Sequence, residues 1–331
     1  MNRYVTLAHG NGGRFMRELI ETVFARHLAN PHLDTNVDAA HLLLPEGEVL
    51  VTTDGFTVQP LEFPGGNIGS LAVHGTVNDL AVAGALPLYL TLNAFIEEGF
   101  DLAQLERLVA SMAMAAEADG VRVVAGDTKI LRRGEASGLY LATTGIGVRP
   151  FGLRLGFDKI CDGDRILVSG TVGDHGAAVL LAREAFGLKG ALLSDAASVL
   201  PLTLAIRHLP GLRFMRDPTR GGLATVMHDI ARTTGCSVRL QEASLPLREE
   251  VSGLCEALGY DPLFLASEGR VVAVVAPADA PQALDAWHAL GADAAEIGRV
   301  DGQEAYVILE TAIGGERIIE ELEDDPLPRI C

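Results

Sequence analysis

The 331 residues carry a formal net charge of −18, which argues against docking on nucleic-acid phosphates or on an anionic membrane surface. Hydrophobic residues make up 48% of the chain, enough for two domains with large cores. No apolar run reaches the roughly eighteen residues of a membrane span, and no secretory leader is apparent, so the expected compartment is the cytoplasm. Residues 1–13 end in His9-Gly10-Asn11-Gly12-Gly13, and 15–27 then places Phe15, Leu19, Val23 and Phe24 at helical spacing. A strand is expected over 49–53, ending at Asp54-Gly55, with a turn at Phe63-Pro64-Gly65-Gly66-Asn67. A helix of small residues follows over 68–83, stopped by Gly84 and Pro87. A strand over 88–95, a long helix over 102–118, a strand over 121–125 closed by Gly126-Asp127, and a strand over 139–148 complete a first domain, 1–150.

Residues 150–156 read as a linker. The second domain, 151–313, repeats the alternation, with strands at 165–169, 238–240, 271–275 and 305–309. Its helices are expected at 176–184, 191–208, 221–233, 248–258 and 281–290. This pattern predicts an α+β or α/β architecture, each domain a mixed sheet covered by helices. The remainder, 314–331, reads as a mobile tail: a Gly314-Gly315 hinge, a short amphipathic docking helix using Ile318, Ile319 and Leu322, and a stiff Pro326-Leu327-Pro328 tip ending in Cys331. No C-x-x-C pair is present. Cys161, Cys236 and Cys255 sit among apolar neighbours and are expected to be buried, which leaves Cys331 as the thiol placed to react.

Three acids, Asp54, Asp79 and Asp127, follow strands or lie near glycine turns, where carboxylates can converge on Mg²⁺. Asp-Gly at 54–55 is equally a common turn former. Glycine turns precede helices at Gly10 to Gly13, at Gly65-Gly66 and at Gly221-Gly222, and helix N-termini with glycine can receive phosphate. None matches a P-loop or a dinucleotide fingerprint. Lys129 follows Asp127 by two residues, so on an extended backbone both point to one side. Arg216-Asp217-Pro218-Thr219-Arg220 offers two cations and a hydroxyl ahead of a helix, or else a solvated loop with internal ion pairs. Glu268, between Ser267 and Gly269, is either a general base or a turn residue. Three such turns and three acids in an acidic chain fit a metal-bound nucleotide.

These residues carry a resemblance. Ala8-His9-Gly10-Asn11-Gly12-Gly13, Thr53-Asp54-Gly55, Phe63-Pro64-Gly65-Gly66, His74-Gly75-Thr76-Val77-Asn78-Asp79-Leu80-Ala81, Gly126-Asp127-Thr128-Lys129, Met215 to Gly222 and Pro328-Arg329-Ile330-Cys331 occur in this order. Together they resemble the HypE family of hydrogenase maturation factors, the carbamoyl dehydratases. That family is similar to the wider superfamily of aminoimidazole ribonucleotide (AIR) synthetase and selenophosphate synthetase, and Asn11 stands where it would have a small residue such as Ala. The resemblance implies a two-domain PurM-like fold and a homodimer in which the first-domain sheets join. It also implies ATP and Mg²⁺ as cofactors. Gly12, Gly13, Asn78, Thr128, Arg216, Thr219, Gly221 and Gly222 would then bind nucleotide, and Asp54, Asp79 and Asp127 would bind metal. Cys331, Lys129 and Glu268 would be catalytic.

The implied reaction starts when the carbamoyltransferase HypF loads a carbamoyl group on Cys331. ATP-dependent dehydration turns it into a thiocyanate, and the cyano group passes to iron on the HypC–HypD complex for NiFe-hydrogenase. Two other readings remain open: a small-molecule ATP-dependent synthetase, and a non-catalytic carrier.

Overall fold

The computed structural model describes residues 3–183, 191–302 and 304–323. The chain opens with a single 3-10 turn at Leu7–Gly10 and then the helix α1 (Arg14–Leu19). A π-helical stretch, Ile20–Ala25, joins it to α2 (Arg26–Leu28). The first sheet is built from β1 (Glu48–Phe56), β4 (Leu86–Glu97), β5 (Arg122–Leu131) and β6 (Leu139–Arg149), after the small ribbon β2 (Glu62–Phe63) and β3 (Gly66–Asn67). Helices α3 (Ile68–Val82) and α4 (Leu102–Ala118) cover one face. Both are well started: Asn67 Oδ1 accepts from the N–H groups of Gly69 and Ser70, and Asp101 Oδ1 from those of Ala103 and Gln104.

The strand order is β1-β6-β4-β5, with only β4 and β5 parallel. Along β1 the residues alternate strictly. Thr52, Asp54 and Phe56 face the helices, while Val49 and Val51 stand on the other face, 51% and 65% exposed. No helix covers that second face among the described residues.

The second sheet has seven strands. They are β7 (Arg165–Val168), β8 (Leu212–Arg216), β9 (Ser237–Gln241), β10 (Val272–Val275), β11 (Ala295–Asp301), β12 (Val307–Glu310) and β13 (Glu316–Ile318), ordered β13-β12-β9-β11-β7-β10-β8. Helices α5 (Asp174–Ala182), α6 (Leu200–Ile206), α8 (Glu249–Leu258) and α9 (Ala280–Ala289) lie on one side, in a core continuous with that of the first domain. The helix α7 (Gly222–Thr234) closes the other side over Phe214, Val238 and Val272. Every residue of β10 is buried, as an apolar run between two covered faces requires.

Several expectations are corrected. Asp54 and Asp127 lie inside β1 and β5 rather than at strand ends, because cross-strand pairing continues to Phe56 and Leu131. Residues 191–199 are not helical, although they are rich in helix formers. Ser194 is instead bonded to Pro64, and Val199 to Asn78, both in the first domain. β8 and β11 were not anticipated. The docking helix near Ile318 is absent: Glu316–Ile318 extends the second sheet as β13, so the segment from Gly314 is not all tail. Ile319 is buried beyond it, and Leu322 is 42% exposed. Cys161 is exposed and Cys236 half-buried, so of the three internal cysteines Cys255 alone is buried. Cys331 lies outside the described residues.

Candidate active site

At the junction of the domains, α3 brings Asp79 beside β1, where Thr52 Oγ1 donates to Asp79 Oδ2 at 2.7 Å. The loop after β8 approaches from the second domain. Its Arg220 lies 3.8 Å from Asp54 Oδ1, and Arg216 is held by Asp229 of α7 at 2.6 Å. Burial, helped by the Asp54 charge, raises the Asp79 carboxyl above its usual range, against the Thr52 bond and the Arg216 and Arg220 charges. Asp217 is 7% exposed and pushed up to about 7, by burial first and then by the Asp79 and Asp54 charges. Asp217 belongs to this cluster and was passed over in the sequence, because Asp-Pro ahead of a helix reads as a turn in a solvated loop.

Behind the cluster, Gly221 and Gly222 start α7 with φ of +68° and +59°. A side chain at Gly222 would strike the carbonyls of Leu263 and Leu265, both 2.5 Å away, so the helix entrance stays bare. Gly222 N–H donates to the carbonyl of Thr219 at 2.9 Å. The Glu268 loop runs alongside, with Ser267 N–H donating to the carbonyl of Pro218 at 2.9 Å. Glu268 is 5% exposed.

The other expected residues lie elsewhere. In the sheet register, Asp127 pairs with Asn93 and Lys129 with Phe95. These positions share the open face, while Thr128, 9% exposed, turns to the helix side with Ala94. Asp54 pairs with Thr143 on the helix side. Asp54 and Asp127 thus occupy opposite faces, three strand spacings or about 14 Å apart. Gly12 and Gly13 lie at the β5 edge: their loop follows Gly10, whose backbone packs on Ile130, a helix-side residue of β5. The expectation that three acids converge within one chain is therefore not met. Among the described residues no three His, Cys, Asp or Glu side chains gather as a metal site.

Two more expectations change. Gly65 is no phosphate cradle, since a side chain there would meet the backbone of Ser194 at 2.7 Å. Asn78 is 1% exposed, and its amide is spent on protein. Nδ2 donates to the carbonyls of Ala197 (3.0 Å) and Glu268 (3.1 Å), and Oδ1 accepts from Val199 N–H (2.8 Å).

The donor set at the junction fits a divalent cation bound with phosphate. Mg²⁺ takes one or two carboxylates and completes its shell with water and phosphate oxygens. Asp54 and Asp79 supply the carboxylates, and crowding that raises an unneutralised carboxyl is relieved by a cation. Arg216, Arg220 and the α7 N-terminus can receive the phosphates.

Comparison with known proteins supplies the family. The AIR synthase related protein models match over 36–149 (N-terminal domain) and 162–310 (C-terminal domain). Carbamoyl dehydratase HypE of Azotobacter vinelandii is 47% identical over 334 residues, covering 100% of this chain and 98% of its own. That of Escherichia coli strain K12 is 44% identical over 334 residues, covering 99% of each chain. A crystal structure of the hydrogenase maturation protein HypE in complex with ATP is 41% identical with a TM-score of 0.93, covering 98% of this chain and 99% of its own. A HypE–HypF complex aligns at 42% identity and TM-score 0.80, covering 92% of this chain and 99% of its own HypE-like chain. Thiamine monophosphate kinases, at 20–23% identity, share the fold alone. The chain belongs to the HypE family of carbamoyl dehydratases, within the AIR synthase related proteins.

Proposed function

We propose that this chain dehydrates a carbamoyl group carried on the sulfur of its own Cys331, using Mg-ATP, and yields a protein-bound thiocyanate. The observation that carries this reading is the place where the chain leaves the second sheet. Glu321 pairs with Arg232 of α7 at 3.2 Å, and Glu321 and Leu322 share a hollow of about 270 Å³ with Arg220, Gly221 and Thr225. The segment that leads to Cys331 is thus anchored at Arg232 in the last turn of α7, and through Glu321 and Leu322 it borders the hollow at the phosphate-receiving end.

The chemistry needs three things. The amide oxygen leaves poorly as hydroxide and well as phosphate, so the γ-phosphoryl group of ATP is transferred to it and ADP departs. Both protons must leave the nitrogen: one as the oxygen is phosphorylated, the second as the C–O bond breaks and C≡N forms. Glu268 is the base for that removal, and Lys129 offsets charge on the departing phosphate. Mg²⁺ held by Asp54 and Asp79 would neutralise charge on the transferring phosphoryl group.

Lys129 and Asp127 stand on the open sheet face, away from Glu268. This favours the homodimer reading. A second copy laid on the exposed Val49, Val51 and Phe95 would cover that face and bring its own Asp127 and Lys129 to a shared site. HypF is the expected carbamoyl donor, as the solved HypE–HypF complex of a relative suggests, and HypC–HypD the expected acceptor. ATP and thiol chemistry place the reaction in the cytoplasm; no helix among the described residues is long and apolar enough to cross a membrane.

Intact-mass analysis after incubation with HypF, carbamoyl phosphate and ATP tests the proposal. The wild type gains a carbamoyl group and then loses water, and Cys331→Ala does neither while still binding ATP. A cyano adduct on Cys331→Ala would overturn the reading, and an absence of ATP hydrolysis would leave the carrier alternative.

A further inference from the structure

Both backbone polar groups of Glu268 are bonded within the protein by buried side chains, one from each domain. Glu268 N–H donates to Asp195 Oδ1 at 3.2 Å, and Glu268 C=O accepts from Asn78 Nδ2 at 3.1 Å. Asp195 lies in the irregular segment 191–199, 9% exposed, and Asn78 in the middle of α3. The two are tied together: Asn78 also bonds Ala197 and Val199, and the backbone of Asp195 lies so close to Gly269 that a side chain there would meet its carbonyl at 2.0 Å. The neighbouring residues are equally fixed. Gly173 N–H donates to Ser267 Oγ at 2.8 Å, and Arg270 Nε donates to the carbonyl of Thr171 at 2.8 Å.

The arrangement is an expensive way to build a turn. Among the described residues Asp195 Oδ2 makes no hydrogen bond, and its nearest cation is Arg270 at 3.5 Å. Burial pushes this carboxyl up to about 6 in spite of Arg270. A burial cost of that kind is ordinarily avoided unless the group does something a neutral residue does less well. Asn78, moreover, is the residue before Asp79. One turn of α3 thus holds the Glu268 peptide with one side chain and presents the phosphate-cluster carboxylate with the next.

We propose that Asn78 and Asp195 are positioning residues for Glu268, setting where its carboxylate stands relative to the Asp79 cluster across the domain junction. The inference rests on the reading of Glu268 as the base. Misplacement of a reacting group by about an ångström costs on the order of 100-fold, so the pair acts on rate and not on nucleotide binding.

The test uses the full-length chain, carbamoylated by HypF, with conversion followed by intact mass in a single turnover and Mg-ATP affinity by calorimetry. Asp195→Ala and Asn78→Ser should each slow dehydration roughly 10- to 100-fold, with Mg-ATP affinity held within about twofold. Asp195→Asn keeps the acceptor oxygen and should recover most of the rate. The decisive arm is a cycle with Glu268→Gln. A residue that acts through Glu268 adds no further loss in that background, whereas a residue that only supports the fold costs the same in both. Equal losses in the two backgrounds, a parallel fall in Mg-ATP affinity, or a wild-type rate in Asp195→Ala would each overturn the proposal. Should Asp195→Ala not fold, Asn78→Ser reads the other bond to the same peptide. A fast Glu268→Gln would show that the base itself is misassigned, which is distinct from a slow Glu268→Gln beside a fast Asp195→Ala.

Discussion

The two groups of candidate residues live in opposite surroundings. At the junction, Asp54, Asp79 and Asp217 are crowded under arginines, with burial driving two of the three carboxyls upward. On the first sheet's open face, Asp127 and Lys129 are exposed on an edge strand, paired with Asn93 and Phe95 of β4. The first group carries an internal cost that only a cation or a proton removes. The second costs little in isolation and gains a role only when another surface arrives. The second domain shows the contrast in its packing too, since both faces of its sheet are covered and the first sheet has one bare.

The largest effect should come from the junction. Glu268→Gln should still accept carbamoyl from HypF and bind ATP, while losing 10²- to 10⁴-fold in dehydration, as expected for a removed general base. Accumulated carbamoyl-Cys331 in the mass spectrum would report it; rapid conversion would pass the role to another group.

The comparison itself can be broken by mixing two inactive variants. If the open-face group serves the partner's junction, a heterodimer of Glu268→Gln with Lys129→Ala contains one site with both changes and one with neither. Co-refolding the two should restore activity to about a quarter of the wild type, given random pairing of dimers. Sites complete within one chain would stay dead in every mixture.

Smaller, and aimed at the metal, is the difference between Asp79→Asn and Asp127→Asn. Both should weaken Mg-ATP, Asp79→Asn by about tenfold or more for a lost charged ligand. Diluting the protein should weaken Mg-ATP further in the wild type and in Asp79→Asn, and least in Asp127→Asn, if that residue acts across the dimer. Calorimetry at two protein concentrations reads both. Val51→Arg should leave the monomer folded and shift sedimentation toward it.

The smallest effect on turnover belongs to a change felt in apo stability. Asp217 is raised to about 7 from a usual value near 3.8, so the folded state holds its proton more tightly than the unfolded chain. The stability this confers is fully present below about pH 4 and is lost as pH rises through about 7. Asp217→Asn should therefore be more stable than the wild type without Mg-ATP at pH 8, by up to about 4 kcal/mol for a rise from 3.8 to about 7, with the gap narrowing toward about pH 4. Urea titrations at the two pH values check the sign, and an unchanged gap would take Asp217 out of the cluster.

Much of the scaffold was legible in the residues. Helices α3 and α4 announce themselves through Asn67 and Asp101 at their starts and through small or apolar periodicity. Gly221-Gly222 marks the α7 entrance correctly. What failed turns on tertiary facts. The face that Asp127 occupies depends on pleat parity, and β5 carries an irregularity opposite Leu90 and Thr91 that shifts the register. No local pattern reveals it. Segment 191–199 has helical composition, yet its backbone groups find better partners in Pro64, Asn78 and Glu268. Asn78 is expected from the sequence to bind nucleotide, yet its amide locks the domains together, and it is the next residue, Asp79, that faces the cluster.

The attachment of the last segment has a kinetic meaning. Asp324–Cys331, eight residues beyond the hollow at Arg220 and Gly221, can span at most about 28 Å. A group on a leash of that length meets its site at an effective concentration in the millimolar range, whatever the concentration of protein. Dehydration is then first-order in loaded chain as long as the dimer holds, and shielded from competing small amides. Lengthening the leash should slow turnover only gradually, roughly as the −3/2 power of its length once the span is exceeded.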